Sequence, residues 1–467
     1  MKGDARGKGP NLLLFITDDQ RFDTLGCLNN PEIRTPNLDY LVRNGTTFTN
    51  AHIMGGSHEA VCMPSRAMMH TGRTLFHLQE QGQEVPAEHT LLGEHLGANG
   101  YARFGTGKWH NGTSSFARSF SDGGQIFFGG MDDHWNVPLC NYAKGGAYPA
   151  PRRQPWNPGT GKIEEIDKVF DHVVPGRHST DLFADAASEF LRNPPDSPFF
   201  CYVAFMAPHD PRTMPQQYLT MYDPSAIRLP SSYLDAHPFD NGEMEVRDER
   251  LAGRPRRPDE IRRHIAEYYA MITHLDAAVG RVLDALKASG RFDETIIVHT
   301  ADHGLALGRH GLMGKQNNYE HGIHIPLIMA GPGIGRGQLR DGLCYNIDLY
   351  PTICDLLELP TPSSVEGKSL APSLADGTAV VRDSLLHAYR DVQRSARDRR
   401  YKLIEYVVGS GRRTQLFDLQ NDPDEINDIA GAPENAPVVA RLRLELAKWR
   451  SELDDPSDLF WRGMERG

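Results

Sequence analysis

Long apolar segments are missing from this 467-residue sequence. No run of about 18 apolar residues is present, which excludes a membrane-spanning helix. The first eleven residues, MKGDARGKGPN, carry charge but no apolar core, so no signal peptide is visible. We therefore expect a cytoplasmic protein from the sequence as given, or a periplasmic or secreted one if a leader has been removed.

Cysteine is also scarce, and basic residues are outnumbered by acidic ones. The six cysteines form no Cys-x-x-Cys pair, so neither a zinc knuckle nor a disulfide scaffold is indicated. The formal net charge is −11, which argues against a nucleic-acid partner because such a partner requires a basic surface. A small anionic ligand stays compatible with this charge, since a local cationic pocket can lie in an acidic protein. The sequence leaves the oligomeric state open.

Short apolar segments alternate with amphipathic stretches along most of the chain. This pattern is typical of a large, mostly parallel central sheet sandwiched by helices, and we predict an α/β fold of this kind. The strand candidates are residues 12–17, 101–106, 199–206, 295–300 and 325–330, and the helix candidates are residues 38–44, 180–192, 259–289 and 346–357.

The pattern changes near residue 375. Residues 384–389, 400–407 and 413–418 predict a short antiparallel sheet, and residues 437–453 predict a closing helix. We therefore predict a large α/β domain over residues 1–375 and a smaller C-terminal α+β subdomain over residues 376–467. Residues 120–178 are rich in glycine, proline and aromatic residues and predict long ordered loops, which are often functional.

Polar side chains follow four of the predicted strands. In open α/β sheets, ligands bind beyond the carboxyl ends of the strands, so four such clusters at one edge indicate a single site. The clusters are Asp18 with Asp19, Lys108 with His110, His209 with Asp210, and Asp302 with His303.

Two of these clusters predict a metal site. Asp18 and Asp19 are adjacent carboxylates, which are costly to place together unless a positive charge lies between them. With Asp302 and His303 they form a ligand set that suits calcium or magnesium better than zinc, although the imidazole keeps zinc or manganese open. For the acid pair alone, a helix cap or a turn is the alternative interpretation.

The segment AVCMPSR, which ends at Arg66, is the most specific pattern in the chain. Alone, Cys62 could equally be a small buried residue before a helix. Together with its companions, the segment resembles the type I sulfatases of the alkaline phosphatase superfamily, and within them the branch of iduronate and other carbohydrate sulfatases. The resemblance covers nearly the whole chain and rests on NLLLFITDDQ (11–20), CMPSR (62–66), GKWH (107–110), APH (207–209), DHG (302–304) with Lys315, and QLFDL (415–419).

The resemblance implies a mechanism and a set of site residues. Cys62 would be oxidised by a formylglycine-generating enzyme, and its hydrated aldehyde would attack the sulfur of a sulfate ester. Calcium, with magnesium as the less expected ion, would be held by Asp18, Asp19, Asp302, His303 and the modified Cys62. Among the catalytic residues, Arg66, Lys108 and Lys315 would surround the developing negative charge, Asp302 would act as base, His209 would protonate the leaving oxygen, and His110 would accept a proton as sulfate is released.

A sulfated saccharide, or another sulfated small molecule, is the expected substrate. Besides the branch resemblance, the segment over residues 127–156 supplies aromatic and cationic side chains that could orient a sugar ring. Alternatively, these aromatic side chains only pack the loop. The side chains are Trp135, Tyr142, Tyr148 and Trp156, with Arg152 and Arg153.

Three further alternatives stay open. An arginine-rich stretch over residues 247–263 is either a solvated loop entering a helix or a rim that attracts an anionic substrate. The same formylglycine site would serve a phosphonate monoester or phosphodiester hydrolase. A protein that keeps Cys62 as a thiol and only binds sulfated glycans is the non-catalytic interpretation.

Overall fold

The computed structural model describes residues 9–154 and 166–465. Among these residues the α-helices are α1 Pro36–Asn44, α2 Cys62–Thr71, α3 Leu92–Ala98, α4 Thr113–Ser119, α5 Ser179–Arg192, α6 Gln216–Leu219, α7 Pro258–Ala288, α8 Glu320–Ile323, α9 Leu349–Leu356, α10 Ala371–Ala375, α11 Ala436–Glu452 and α12 Asp458–Glu465. The strands are β1 Asn11–Thr17, β2 Gly45–Phe48, β3 Ala51–His52, β4 Gly55–Gly56, β5 Ala102–Lys108, β6 Asp122–Phe127, β7 Pro138–Leu139, β8 Arg152–Gln154, β9 Ile166–Lys168, β10 His172–Val173, β11 Phe199–Ala204, β12 Thr295–Ala301, β13 His324–Ile325, β14 Leu327–Ala330, β15 Gln338–Arg340, β16 Cys344–Tyr345, β17 Leu385–Tyr389, β18 Gln393–Arg397, β19 Tyr401–Val408 and β20 Gly411–Asp418.

An eight-stranded sheet forms the centre of the molecule, in the order β15-β2-β14-β12-β1-β11-β5-β6. Strands β12, β1, β11, β5 and β6 are parallel neighbours, whereas β14 runs antiparallel to β12 and β2. The predicted α/β fold with a mostly parallel sheet is therefore confirmed.

Both faces of this sheet are covered because successive side chains of a strand point to opposite sides. On β1, Leu13 and Phe15 pack in one core with α1, α5 and α7. Leu12, Leu14 and Ile16 pack in a second core that includes Trp109 and residues of α9. Every residue of β1 is buried, as expected for a central strand with a continuous apolar sequence.

A second, five-stranded sheet has the order β20-β19-β18-β17-β4. Four of its strands form an antiparallel array from the C-terminal part of the chain. The fifth, β4, comes from residues just before Cys62 and pairs in parallel with β17. The backbone oxygen of Ala388 comes so close to Gly55, whose φ is +99°, that a side chain there would clash. The boundary near residue 375 stays a prediction.

Three details differ from the sequence-based expectation. Residues 325–330 form two strands in different sheets, separated by Pro326, because proline lacks the N–H that a continuous ladder needs. The buried strand β18 was not predicted, since its sequence QRSAR has no apolar alternation. Residues 120–178, predicted as loops, contain several short strands. None of the described helices is long and apolar enough to cross a membrane.

Candidate active site

Four parallel strands deliver the predicted polar clusters to one edge of the central sheet. Strands β12, β1, β11 and β5 are consecutive neighbours, and Thr17 at the end of β1 is in register with Ala301 at the end of β12. The residues that follow them therefore meet beyond the same edge. The structure brings together Asp18, Asp19, Lys108, His110, His209, Asp302 and His303, and it adds Cys62, Arg66 and Lys315 from other parts of the chain.

Cys62 is the first residue of α2 and is 2% exposed. Its Sγ atom lies 3.3 Å from Nδ1 of His110 and 3.5 Å from Nζ of Lys108. Burial alone would raise the pKa of the Cys62 thiol, but the charge of Lys108 and the contact with His110 hold it well below its usual value. Sulfur at this position is therefore in a strongly cationic setting, unlike an ordinary core cysteine.

Arg66 follows Cys62 by one helical turn and is completely buried. Its Nε donates to Asp302 Oδ2 at 2.8 Å, and its two terminal nitrogens donate to the carbonyl of Lys108 at 2.7 Å and to Asp18 Oδ2 at 3.3 Å. These three contacts hold two carboxylates and the end of β5. The catalytic role expected for Arg66 stays a prediction.

The acidic residues and His303 fit a divalent cation. Ligand atoms of Asp18, Cys62, Asp302 and His303 lie within 4.8 Å of one another, and all four residues are buried. Oδ1 of Asp18, Oδ2 of Asp19 and Nε2 of His303 are buried without a hydrogen-bond partner among the described residues. Burial and the neighbouring Asp18 carboxylate raise the pKa of Asp302. This concentration of carboxylates is the setting that a hard cation stabilises.

Lys315 and His209 lie on the other side of Asp19. Lys315 Nζ is 3.0 Å from Asp19 Oδ1, and His209 Nε2 is 3.9 Å from Asp19 Oδ2. Burial would raise the pKa of Asp19, but Lys315 and His209 lower it well below its usual range. His209 donates from Nδ1 to the carbonyl of Asp210 at 2.8 Å, which leaves Nε2 directed toward the site.

Two of the site residues have a left-handed backbone. Asp19 has a φ of +65° and His110 has a φ of +68°. Such conformations cost about 1–3 kcal/mol for a residue other than glycine and occur preferentially at functional sites. Aspartate and histidine are among the non-glycine residue types that adopt this conformation most often.

A cavity of about 210 Å3 opens over Cys62. We call it the nucleophile cavity. His110, His209 and Lys315 belong to its wall. Its remaining residues come from separate loops that sequence reasoning did not assign: His58, Glu59, Ala60, Gly130, Met131, Val246, Arg247, Asp248 and Gln316. Of these, Arg247 and Asp248 belong to the arginine-rich stretch and Ala60 belongs to the segment AVCMPSR.

Two protein-family models match the part of the chain that contains these site residues. The family model described as "Sulfatase" matches residues 10–359, and one described as "N-sulphoglucosamine sulphohydrolase, C-terminal" matches residues 308–452. The chain belongs to the sulfatase family. It is accordingly an enzyme of the sulfuric ester hydrolase class, and the predicted resemblance is confirmed.

The similarity of this sulfatase to individual relatives covers nearly its whole length. It is 29% identical to the multifunctional alkaline phosphatase superfamily protein PehA of Trinickia caryophylli, with 98% of both chains covered. It is 28% identical to an arylsulfatase of Clostridium perfringens, with 94% of both covered.

Two solved structures share the fold of this sulfatase. One is a protein in complex with its substrate D-glucosamine-2-N,6-O-disulfate, with a TM-score of 0.74, 23% identity, and 96% and 99% of the two chains covered. The other is a phosphonate monoester hydrolase of Agrobacterium radiobacter, with a TM-score of 0.74, 22% identity, and 95% and 96% covered.

The aromatic side chains of residues 127–156 in this sulfatase pack against neighbouring parts of the chain. Tyr142 donates to the carbonyl of Phe120, and the ring of Tyr148 contacts Phe116 and Phe128. Trp135 packs edge-on against His178, and Arg152 lies over the ring of Phe170. These side chains, and Arg153, are not among the residues that line the nucleophile cavity, so the contacts fit the packing alternative. Trp156 lies outside the described residues.

Proposed function

We propose that this protein is a sulfatase that hydrolyses a sulfate ester on a carbohydrate, through a formylglycine derived from Cys62 and a bound divalent cation. The observation that carries the proposal is the position of the Cys62 side chain. It is buried beside Lys108, His110, Asp18 and Asp302, and a cavity that reaches it is lined by further proton donors and cations.

Formylglycine would supply the nucleophile and the exit route. Once Cys62 is an aldehyde and hydrated, one hydroxyl attacks sulfur and displaces the alcohol, and the other releases sulfate and restores the aldehyde. The residues around it supply charge and proton transfer. Lys108 and Lys315 provide positive charge beside the position of the sulfate oxygens, and Arg66 fixes Asp18 and Asp302 from behind.

Two histidines that line the cavity would divide the proton transfers. His209 has its Nδ1 occupied by the carbonyl of Asp210, so its Nε2 is the nitrogen that would protonate the leaving oxygen. His110 Nδ1 is the ring nitrogen closest to the Cys62 side chain. It would take the proton of the second hydroxyl when sulfate is released, and Asp302 would assist the attack of the first.

Asp18, Asp19, Asp302 and His303 would hold the cation, together with the modified Cys62. Their oxygens favour calcium, with magnesium as the weaker alternative. Such an ion would stabilise negative charge on the sulfate and lower the pKa of the attacking hydroxyl. The unpartnered atoms Asp18 Oδ1, Asp19 Oδ2 and His303 Nε2 support this assignment.

Mass spectrometry of the peptide that contains Cys62 tests the covalent part of the proposal. Conversion of the thiol to the aldehyde lowers the peptide mass by about 18 Da. The protein should be expressed in a host that contains a formylglycine-generating enzyme. An unmodified thiol in protein from such a host would support the non-catalytic alternative, in which the site only binds sulfated glycans.

A substrate panel tests the carbohydrate part. The solved structure that holds a glucosamine disulfate supports a sugar, whereas the phosphonate monoester hydrolase supports the second candidate function, hydrolysis of phosphonate monoesters or phosphodiesters. We expect kcat/KM to be highest on a sulfated saccharide. A higher value on an aryl sulfate would contradict the carbohydrate assignment, and a higher value on an aryl phosphonate would establish the second candidate.

A further inference from the structure

A second cavity adjoins the nucleophile cavity. We call it the C-terminal cleft. It has a volume of about 360 Å3 and is bounded by Gly56 and Ser57, by the segment 75–81, and by residues 388–394 and 455–457 of the C-terminal part. A volume of this size lies within the range of about 300–1,000 Å3 that is typical of small-molecule sites.

The two cavities share one stretch of chain as their wall. Gly56 and Ser57 line the C-terminal cleft, and the next residues, His58 and Glu59, line the nucleophile cavity. Arg390 on the side of the cleft lies 3.6 Å from Glu59. The short segment 56–59 and the contact between Arg390 and Glu59 therefore lie between the two cavities.

The lining of the cleft combines an apolar side with unpartnered polar groups. Leu75, Phe76 and Leu78 provide the apolar side. The hydroxyl oxygens of Ser57 and Ser457 are buried without a hydrogen-bond partner in the described parts of the chain. A pyranose ring needs this combination, because it has an apolar face and a rim of hydroxyls that must be hydrogen-bonded when buried.

The charges of the cleft argue against a second anionic group. Arg394 donates to both oxygens of Asp455, at 2.7 and 2.8 Å. Arg390 is paired with Glu243 at 2.7 Å and faces Glu59. Both cations are thus neutralised, and the exposed carboxylate of Asp391 adds negative charge to the rim. A second sulfate would meet no spare positive charge, whereas an uncharged sugar fits.

We propose that the C-terminal cleft binds the sugar unit next to the sulfated one, and that this unit is an uncharged pyranose. The inference rests on the proposed function. Ser57, Ser457 and Asp391 accept or donate hydrogen bonds to the sugar hydroxyls, Gln81 provides an amide at the rim, and Phe76 contributes to the apolar face. The enzyme would then prefer a disaccharide or a longer chain to a sulfated monosaccharide.

The test compares three substrates on the purified, formylglycine-containing enzyme: 4-nitrophenyl sulfate, a sulfated monosaccharide, and a disaccharide with an uncharged second unit. The exposed residues Gln81 and Asp391 are replaced together by alanine. Loss of two hydrogen bonds to the second sugar should lower kcat/KM on the disaccharide by about tenfold or more and leave kcat/KM on the other two substrates unchanged. Arg336→Ala, an exposed arginine beside a different cavity, is the matched control.

A second variant fills part of the cleft with a larger side chain at a lining residue. Ser457→Leu should abolish the preference for the disaccharide, while unchanged turnover of 4-nitrophenyl sulfate shows that the nucleophile cavity is intact. Equal kcat/KM on the monosaccharide and the disaccharide, with no selective effect of either variant, would overturn this inference but leave the proposed function standing. Faster turnover when the second unit is also sulfated would overturn the assignment of an uncharged sugar. A wild-type enzyme inactive on all three sulfates would overturn the proposed function as well.

Discussion

Arg66 Nε donates a hydrogen bond of 2.8 Å to Asp302 Oδ2, and both side chains are completely buried. The two residues are separated by 236 positions in the chain, so this contact joins the helix that begins at Cys62 to the end of β12. It places the proposed nucleophile and the proposed cation ligands in one rigid unit. The first prediction below concerns this pair.

Replacement of Arg66 by methionine should destabilise the protein by about 3–5 kcal/mol, because it leaves buried carboxylates without their partner. It should also weaken calcium binding, since Asp18 and Asp302 lose their orientation. Urea unfolding and calorimetric calcium titration measure the two effects. Arg394→Met removes a comparable buried arginine in the C-terminal part and should destabilise the fold without changing calcium affinity. Equal calcium affinity in Arg66→Met and wild type would contradict the role given to Arg66.

Cys62→Ala should lower kcat by about 10⁴-fold or more, because it removes the nucleophile and little packing volume. Circular dichroism and thermal unfolding should remain close to wild type. Cys201→Ala, which changes a buried thiol in β11, should retain turnover. Substantial sulfatase activity in correctly folded Cys62→Ala protein would exclude the formylglycine mechanism.

Removal of divalent metal should abolish turnover, and calcium should restore it better than magnesium or zinc. Asp19→Asn should weaken calcium binding at least about tenfold, because the site loses one negative charge and one strong ligand. Calorimetry measures this without reference to activity. Asp23→Asn is the matched control, because Asp23 lies four residues after Asp19 in the sequence and is paired with Arg21 and Arg309. Rescue by zinc alone would show that the metal has been assigned incorrectly.

His209→Ala should slow the hydrolysis of a sugar sulfate by about 10²-fold or more, because a sugar alkoxide leaves poorly without a proton. 4-Nitrophenyl sulfate should be affected much less, since nitrophenolate needs little protonation. The measurement is the ratio of the two losses in kcat/KM. His172→Ala, at a half-buried histidine of β10 that does not line the nucleophile cavity, is the control. Equal losses on both substrates would assign His209 to binding rather than to proton transfer.

The sequence was informative about the site wherever a strand positioned the residue. Asp18, Lys108, His209 and Asp302 follow apolar strands, and parallel pairing makes the ends of such strands meet. The same reasoning predicted the central sheet, since its strands are buried on both faces and read as continuous apolar segments.

The walls of the nucleophile cavity could not be predicted in this way. Gly130, Val246 and Gln316 come from three unrelated loops, and a contact between distant loops leaves no periodic pattern in either of them. The contacts of Arg66 depend on which acceptors surround its guanidinium in three dimensions, and its sequence position does not reveal them.

The pairing of β4 with β17 has a consequence for the order of events during synthesis. Gly55 and its partner Ala388 are separated by roughly 330 residues, and translation at about 5–20 residues per second needs on the order of tens of seconds to cover that distance. Until then the segment before Cys62 lacks its neighbouring strand. In the folded chain Cys62 is 2% exposed. If Cys62 is converted to formylglycine as proposed, this delay would give the modifying enzyme a period in which to reach the cysteine on the growing chain, before the C-terminal sheet closes beside it.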